Sequence, residues 1–449
     1  MRRSLLLSAA AVAALALAQP AFAPPAVAQA PDIGIVKPTL ETEMLTEDDL
    51  DSDADDPAVW VASGDKDDSL VITAVKNGGI RVYDLKGRRV QLVEPAPDGG
   101  RINNVDVVYG LKLQNGKKVD AVIASDRGLD IIRVFQIRPD NDDKPLVEIT
   151  AKKPRRAFPE RPKANGKGLE DNPLDDQNTV YGLTAVKDPE SGDVFAVGTQ
   201  RGQPRLGVFR LTPRKGGTVE AVYANEFRVP VEHKGQNLRE ENEDDPLKDW
   251  SPQFEGLAID QRAGVLYAGQ EDVGIWRIPI RASSDMKPKL IYETRGSEKS
   301  SFYNPDSVIS RDVEGLCVYY ADDGKGYLIA SSQGNAHGDA PTPDAPYDDS
   351  FAVFALDGDK TPKLIGSFRV GKRKKIDAVQ ESDGAEVVSF GLPGFEKGLF
   401  ITQDGYDGDI LSGEPSQTNF KFVPWEEIAK SFNPPLSITP KAFDPRRTQ

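Results

Sequence analysis

Short apolar runs broken by turn-forming residues recur along the chain and predict strands rather than helices. The clearest carry an aromatic in a V-Y or V-F setting. They are Gly79 to Leu85, Ile132 to Ile137, Leu206 to Leu211, Val273 to Ile278 and Phe351 to Leu356. The runs before them end near Thr73, Ala124, Gly198, Ala268 and Ala330, and a sixth ends near Thr402. These ends are spaced by 51, 74, 70, 62 and 72 residues. Repeats of this length fit four-stranded blades with long connecting loops. The predicted fold class is all-β, a six-bladed β-propeller.

Helical patterning is weak. The best candidate is Pro424 to Lys430, with Pro424 in the first turn. Ile33 to Leu45 is expected to add a strand to the last blade and close the ring, and the tail from Pro434 to wrap the outside. Lys152 to Asn178 and Gln236 to Trp250 lack periodicity and read as surface insertions.

Residues 1–30 read as a secretory signal peptide, with Met1-Arg2-Arg3 ahead of an apolar run and several small-residue cleavage points. Residues 31–449 are then one propeller, exported to the periplasm or secreted. No later segment is apolar enough to span a membrane. The net charge of −15 disfavours nucleic acid and anionic membranes as partners, and a monomer is expected. A single cysteine, Cys317, excludes an internal disulfide and reads as a buried strand residue.

Charge placement adds chemistry to this frame. Asp53-Ala54-Asp55-Asp56 runs into an apolar strand without a neutralising base. Asn103-Asn104-Val105-Asp106, Glu255-Gly256-Leu257, Gln270-Glu271-Asp272, Asp312-Val313-Glu314-Gly315-Leu316 and Asp377 to Asp383 repeat the theme. Such oxygen donors suit calcium, which accepts six to eight of them in flexible geometry. Other phosphatase routes fail on inventory: there is no Arg-His-Gly triplet, Cys317 has no arginine six residues on, and two histidines cannot build a binuclear transition-metal site. Lys76, Arg127, Tyr181 and Arg201 stand at comparable points in the repeats, where their groups could bind phosphate.

Taken in order from Glu41 to Trp425, these motifs resemble the β-propeller phytases, a six-bladed, calcium-dependent family of alkaline phytases. The resemblance is carried by Asp55-Asp56-Pro57-Ala58-Val59-Trp60, Asn103-Asn104-Val105-Asp106, Val180-Tyr181-Gly182, Glu255-Gly256-Leu257, Glu271-Asp272 and Ile275-Trp276. It continues through Glu314-Gly315-Leu316, Tyr319 to Tyr327, Ser331 to Asn335, Ser382-Asp383-Gly384, Gln403-Asp404-Gly405 and Asn419-Phe420-Lys421.

The resemblance implies hydrolysis of calcium phytate, inositol hexakisphosphate, to lower inositol phosphates by direct attack of calcium-bound water. By position it implies that Asp55, Asp56, Glu255, Glu271, Asp312, Glu314, Gln333, Asp377 and Asp383 hold several Ca2+ ions or bridging water, with Glu41 a further ligand. It makes Lys76, Arg127, Tyr181 and Arg201 phosphate-binding, and groups them with Glu255, Glu314 and Asp377 as catalytic. The chain departs from the family at Asn77, where a second lysine is common, and at Gln200-Arg201, where a lysine stands. The competing expectations are a calcium-dependent propeller hydrolase of another class, such as a lactonase, and a non-catalytic binding propeller.

Overall fold

A computed structural model describes residues 33–46, 53–141, 144–159, 165–167, 174, 177–239, 251–280, 287–296, 301–334, 347–358, 360–406, 417–441 and 443–447. Six sheets of four or five strands follow one another in sequence. Their innermost strands are Pro57–Trp60, Ile102–Lys112, Val180–Lys187, Phe254–Asp260, Leu316–Tyr320 and Ala385–Val388. Each is paired antiparallel with the next strand in the chain, and the sheet continues outward. The protein is a six-bladed β-propeller.

The inner strands are buried along most of their length, and one apolar layer lies between each pair of neighbouring blades. Trp60 and Ile72 meet Ile102 and Phe135 between the first two blades. Ile123 meets Phe209, and Val197 meets Phe254 and Leu257, around the next two joints. Tyr267 packs with Leu328 and Phe354, and Phe351 with Phe400. Val59 and Val71 close the sixth joint against Ile401 and Phe422. Six such layers make a ring without a free inner edge.

The N-terminal segment closes that ring as expected. Leu40–Glu41 pairs antiparallel with Asn419–Pro424 and completes the sixth blade. Gly34–Val36 does more, adding a parallel fifth strand to the neighbouring blade against Lys363–Val370. The helix forms at Trp425–Lys430, and Pro424 caps it from just outside rather than sitting in its first turn. Cys317 is buried in a strand. No helix among the described residues is long and apolar enough to cross a membrane.

Two expectations are corrected. The tail does not wrap the outside but crosses the lower mouth of the ring. Thr439 N donates to the Tyr319 hydroxyl, Phe443 stacks on Tyr320 at 3.9 Å, and Arg446 pairs with Asp120 and donates to the Val61 carbonyl. Aromatic and cationic side chains suit the aromatic, acidic lower ends of the inner strands better than solvent. The segment from Lys152 is not wholly superficial either, because Ala157 and Phe158 enter the layer between the second and third blades. Residues 1–30, His337 and the acidic run 240–245 lie outside the described residues.

Candidate active site

In each blade the innermost strand begins, and the second strand ends, on the upper rim. The register fixes this: Pro57 faces Thr73, Ile102 faces Asp126, Val180 faces Gln200, and Phe254 faces Gln270. Two sets of side chains therefore converge. Asp55, Asp56, Asn103, Tyr181, Glu255, Glu314 and Asp383 sit where inner strands open, and Lys76, Arg127, Arg201, Glu271 and Gln333 follow the second strands.

The centre of the rim is acidic. Glu255, Glu271 and Glu314 are all buried, and each offers a carboxylate oxygen within 4.8 Å of the other two. Close approach of the blades creates this cluster. A Cβ on Gly256 would lie 1.6 Å from the Glu314 carbonyl oxygen, and one on Gly182 would lie 1.9 Å from that of Glu255. Glycine after the acid is what lets neighbouring inner strands pinch together.

The cluster is only partly satisfied. Glu255 Oε1 accepts from Asn103 Nδ2 at 2.7 Å, and both oxygens of Glu271 accept from Gln253 Nε2 at 2.8 Å. Oε2 of Glu314 and Oδ2 of Asp55 are buried without a hydrogen-bond partner. Burial raises the pKa of Glu271 and Glu314, and the charge of Glu255 raises both further. Burial and the neighbouring Asp272 do the same to Asp312, and Asp55 and Asp56 are raised chiefly by burial. Buried carboxylate oxygens without a hydrogen-bond donor in a crowded acidic site fit a hard divalent cation with oxygen ligands.

Cations border the acids on one side. Lys76 Nζ lies 2.7 Å from Asp53, 3.2 Å from Asp383 and 3.6 Å from Asp55. Burial opposes its charge, but Asp383, Asp55 and Asp53 outweigh burial and hold the ammonium protonated. Asp383 also accepts from Gln333 Nε2 at 3.2 Å. Arg127 and Arg201 flank the Tyr181 ring, with guanidinium carbons 5.3 and 6.0 Å from its centroid. Burial and then Glu255, Glu271 and Glu314 raise the Tyr181 phenol, so its hydroxyl stays a donor beside the acids.

Glu41 and Asp377 fall into a different grouping. Both pair with Nζ of Lys421, Glu41 at 3.0 Å, together with Asp404 at 2.9 Å. The Lys421 side chain is fully buried in the third strand of the sixth blade. One ammonium is shared there among three carboxylates, so the group keeps a net negative charge.

Gln253 was not singled out in the sequence, and Asn103 and Asp53 stood there only as members of oxygen-donor motifs without a role of their own. Asn103 links Glu255 to Arg127, whose Nη1 donates to Asn103 Oδ1 at 2.7 Å. Gln253 and Asp53 hold Glu271 and Lys76. Below the rim a cavity of ≈ 130 Å³ follows the axis, lined by Asp56, Asp106 and Glu386 and ending at Phe443 and Pro445. Alternation along the inner strands was the available signal for Glu386, which sits between buried Ala385 and Val387.

A propeller whose rim sets buried carboxylates beside a row of cations is an arrangement suited to metal-assisted hydrolysis of phosphoesters. The model of the phytase family matches residues 3–157 and 246–449, and the chain belongs to that family of hydrolases. It is 30% identical over 397 residues to a 3-phytase of Bacillus subtilis (strain 168), covering 88% of this chain and 85% of that protein. The protein is thus a phytase. The interval between the matched segments contains Tyr181 and Arg201, which the fold nonetheless brings to the rim. Among solved structures, the chain is similar to the β-propeller domain of Cps50 (Swd1) from Myceliophteria thermophila, with 11% identity, 82% and 83% coverage and a TM-score of 0.37. It is also similar to an exo-β-1,3-galactanase described from Bifidobacterium bifidum, with 12% identity, 69% and 89% coverage and a TM-score of 0.35.

Proposed function

We propose that this chain is an exported, calcium-dependent phytase that removes phosphates from phytate and leaves lower inositol phosphates. The observation that carries the reading is the convergence of Glu255, Glu271 and Glu314 within 4.8 Å, with Oε2 of Glu314 unpartnered. Together with Asp55, Asp56, Asp312, Gln333 and Asp383 these residues would hold several calcium ions. Bound calcium supplies Lewis acidity and positive charge against the phosphoryl oxygens.

The chain's own groups do the rest. Lys76, Arg127 and Arg201 bind and orient phosphates, and an arginine fork can grip two oxygens of one group. Arg127 and Arg201 are braced by the Tyr181 ring, so little side-chain freedom remains to be lost on binding. Lys76 is engaged by three carboxylates and turns to phosphate only when those acids gain another positive partner. The reading reconciles an acidic protein with a polyanionic substrate, because divalent cations stand between the two.

Export rests on the leader in residues 1–30, and the protein is read as a monomer that binds neither nucleic acid nor membrane. The test is phosphate release from phytate by the mature protein with calcium, then with chelator, then with calcium restored. Release is expected to follow calcium in both directions. Release that persists after complete chelation overturns the reading.

A further inference from the structure

We propose that Arg101 is a further substrate-binding residue, whose guanidinium takes a phosphate group alongside Lys76 and Arg127. The inference rests on the phytase reading and extends its binding surface to a residue that neither the motif pattern nor the acid cluster marks.

Its position is set by backbone on both sides. Ile102 N donates to the Lys76 carbonyl at 3.1 Å, and Arg127 N donates to the Arg101 carbonyl at 2.8 Å. The N–H of Arg101 itself donates to Asp126 Oδ1 at 3.0 Å. Arg101 is thus pinned between the two blades that supply Lys76 and Arg127, and the three cations form one arc on the rim.

Its side chain is uncommitted where the others are engaged. Lys76 is held by three carboxylates, Arg127 donates to Asn103, and Arg201 donates to Gln177. The Arg101 guanidinium makes no hydrogen bond or ion pair with any described residue, and its Nε is buried without a partner. A buried donor of this kind is costly unless something accepts from it.

The surroundings favour an anion. Burial and the positive charges of Arg127 and Arg201 lower the pKa of Arg101, while Asp55 and Asp53 only partly oppose them. A phosphate group placed among Arg101, Arg127 and Lys76 relieves that crowding and satisfies the fork. Asn77, next to Lys76, brings no charge of its own. A substrate carrying several phosphates on one small ring is the chemistry that uses such an arc.

The test compares parent, Arg101→Ala and Arg101→Lys in saturating calcium, with inositol hexasulfate as a non-hydrolysable probe in calorimetry and phytate in steady-state kinetics. Arg101→Ala is expected to weaken hexasulfate binding about tenfold or more, the scale of a lost charge-assisted contact. It should raise KM for phytate similarly, leave kcat within about threefold, and leave the thermal midpoint unchanged or higher. Arg101→Lys should recover part of the binding. Unchanged hexasulfate affinity in Arg101→Ala overturns the proposal, as does a parent protein that binds no hexasulfate, or a fall confined to kcat. A parent that binds hexasulfate but releases no phosphate from phytate refutes the phytase reading, while the affinity comparison still decides the role of Arg101.

Discussion

Asn103 donates from Nδ2 to Oε1 of Glu255 at 2.7 Å, joining the second blade to the fourth across 152 residues of sequence. The same amide accepts from Arg127 at 2.7 Å, so one side chain couples a carboxylate of the acid cluster to an arginine proposed to bind phosphate. Asn103→Leu keeps the volume and removes both bonds. It should lower kcat/KM for phytate by about 10–100-fold, the effect of about 1–3 kcal/mol from unpaired polar groups. Kinetics within twofold of the parent would count against the coupling.

Glu314→Gln removes one of the mutually repelling buried charges. The calcium-free protein should melt at the same temperature or higher, while the extra stability conferred by calcium shrinks, because ligand-linked stabilisation follows affinity. Turnover should fall about a hundredfold or more as a cation ligand is lost. Calorimetry with and without calcium measures both effects, and an undiminished calcium shift would remove Glu314 from the ligand set.

Burial pushes the Asp383 carboxyl from 3.8 up to about 6; Lys76 opposes this and Glu255 adds to it. The folded state therefore holds that proton more tightly than the unfolded chain. Its stabilising contribution is fully present below 3.8 and is lost as pH rises through about 6. Thermal unfolding of the calcium-free protein should weaken across this window. Calcium affinity should rise across it, since the ligand carboxylates must deprotonate to bind metal. A pH-independent calcium affinity between those limits would contradict the assignment of Asp383.

Lys421 pairs with Glu41, Asp377 and Asp404 at the strand where the N-terminal segment closes the ring. Lys421→Met strands those carboxylates in a buried site. It should cost about 3–5 kcal/mol in denaturant unfolding, the usual penalty for removing one partner of a buried ion pair. A loss under about 1 kcal/mol would mean that Lys421 is not the counter-charge of this cluster.

Phe443 stacks on Tyr320 and ends the axial cavity from below. Phe443→Ala should destabilise the propeller by about 3 kcal/mol, as for other buried aromatics, while kcat on the opposite rim changes little. A selective loss of turnover without loss of stability would instead place the lower mouth in the catalytic path.

Much of this was legible along the chain because it is local. Apolar runs and turn signals set the strands, and Lys76, Arg127 and Arg201 were found because each follows a second strand, while Tyr181 opens an inner one. The Glu-Gly-Leu motifs carried both an acid and the glycine that its close packing requires. Arg101 was not legible, since an arginine ahead of a strand looks like any exposed charge until Lys76 and Arg127 are seen beside it.

The sequence by itself determined the six repeats, the all-β class, the oxygen-rich chemistry and the closing strand, because each depends on residue type and on spacings within one repeat. Only the tertiary structure decided which acids meet. Glu255, Glu271 and Glu314 converge because ring closure pinches the inner strands together, whereas Glu41 and Asp377 are drawn to Lys421 by a buried positive charge. The tail's passage across the lower mouth is likewise long-range, since Phe443 and Arg446 find aromatic and acidic partners on other blades only once the propeller has closed.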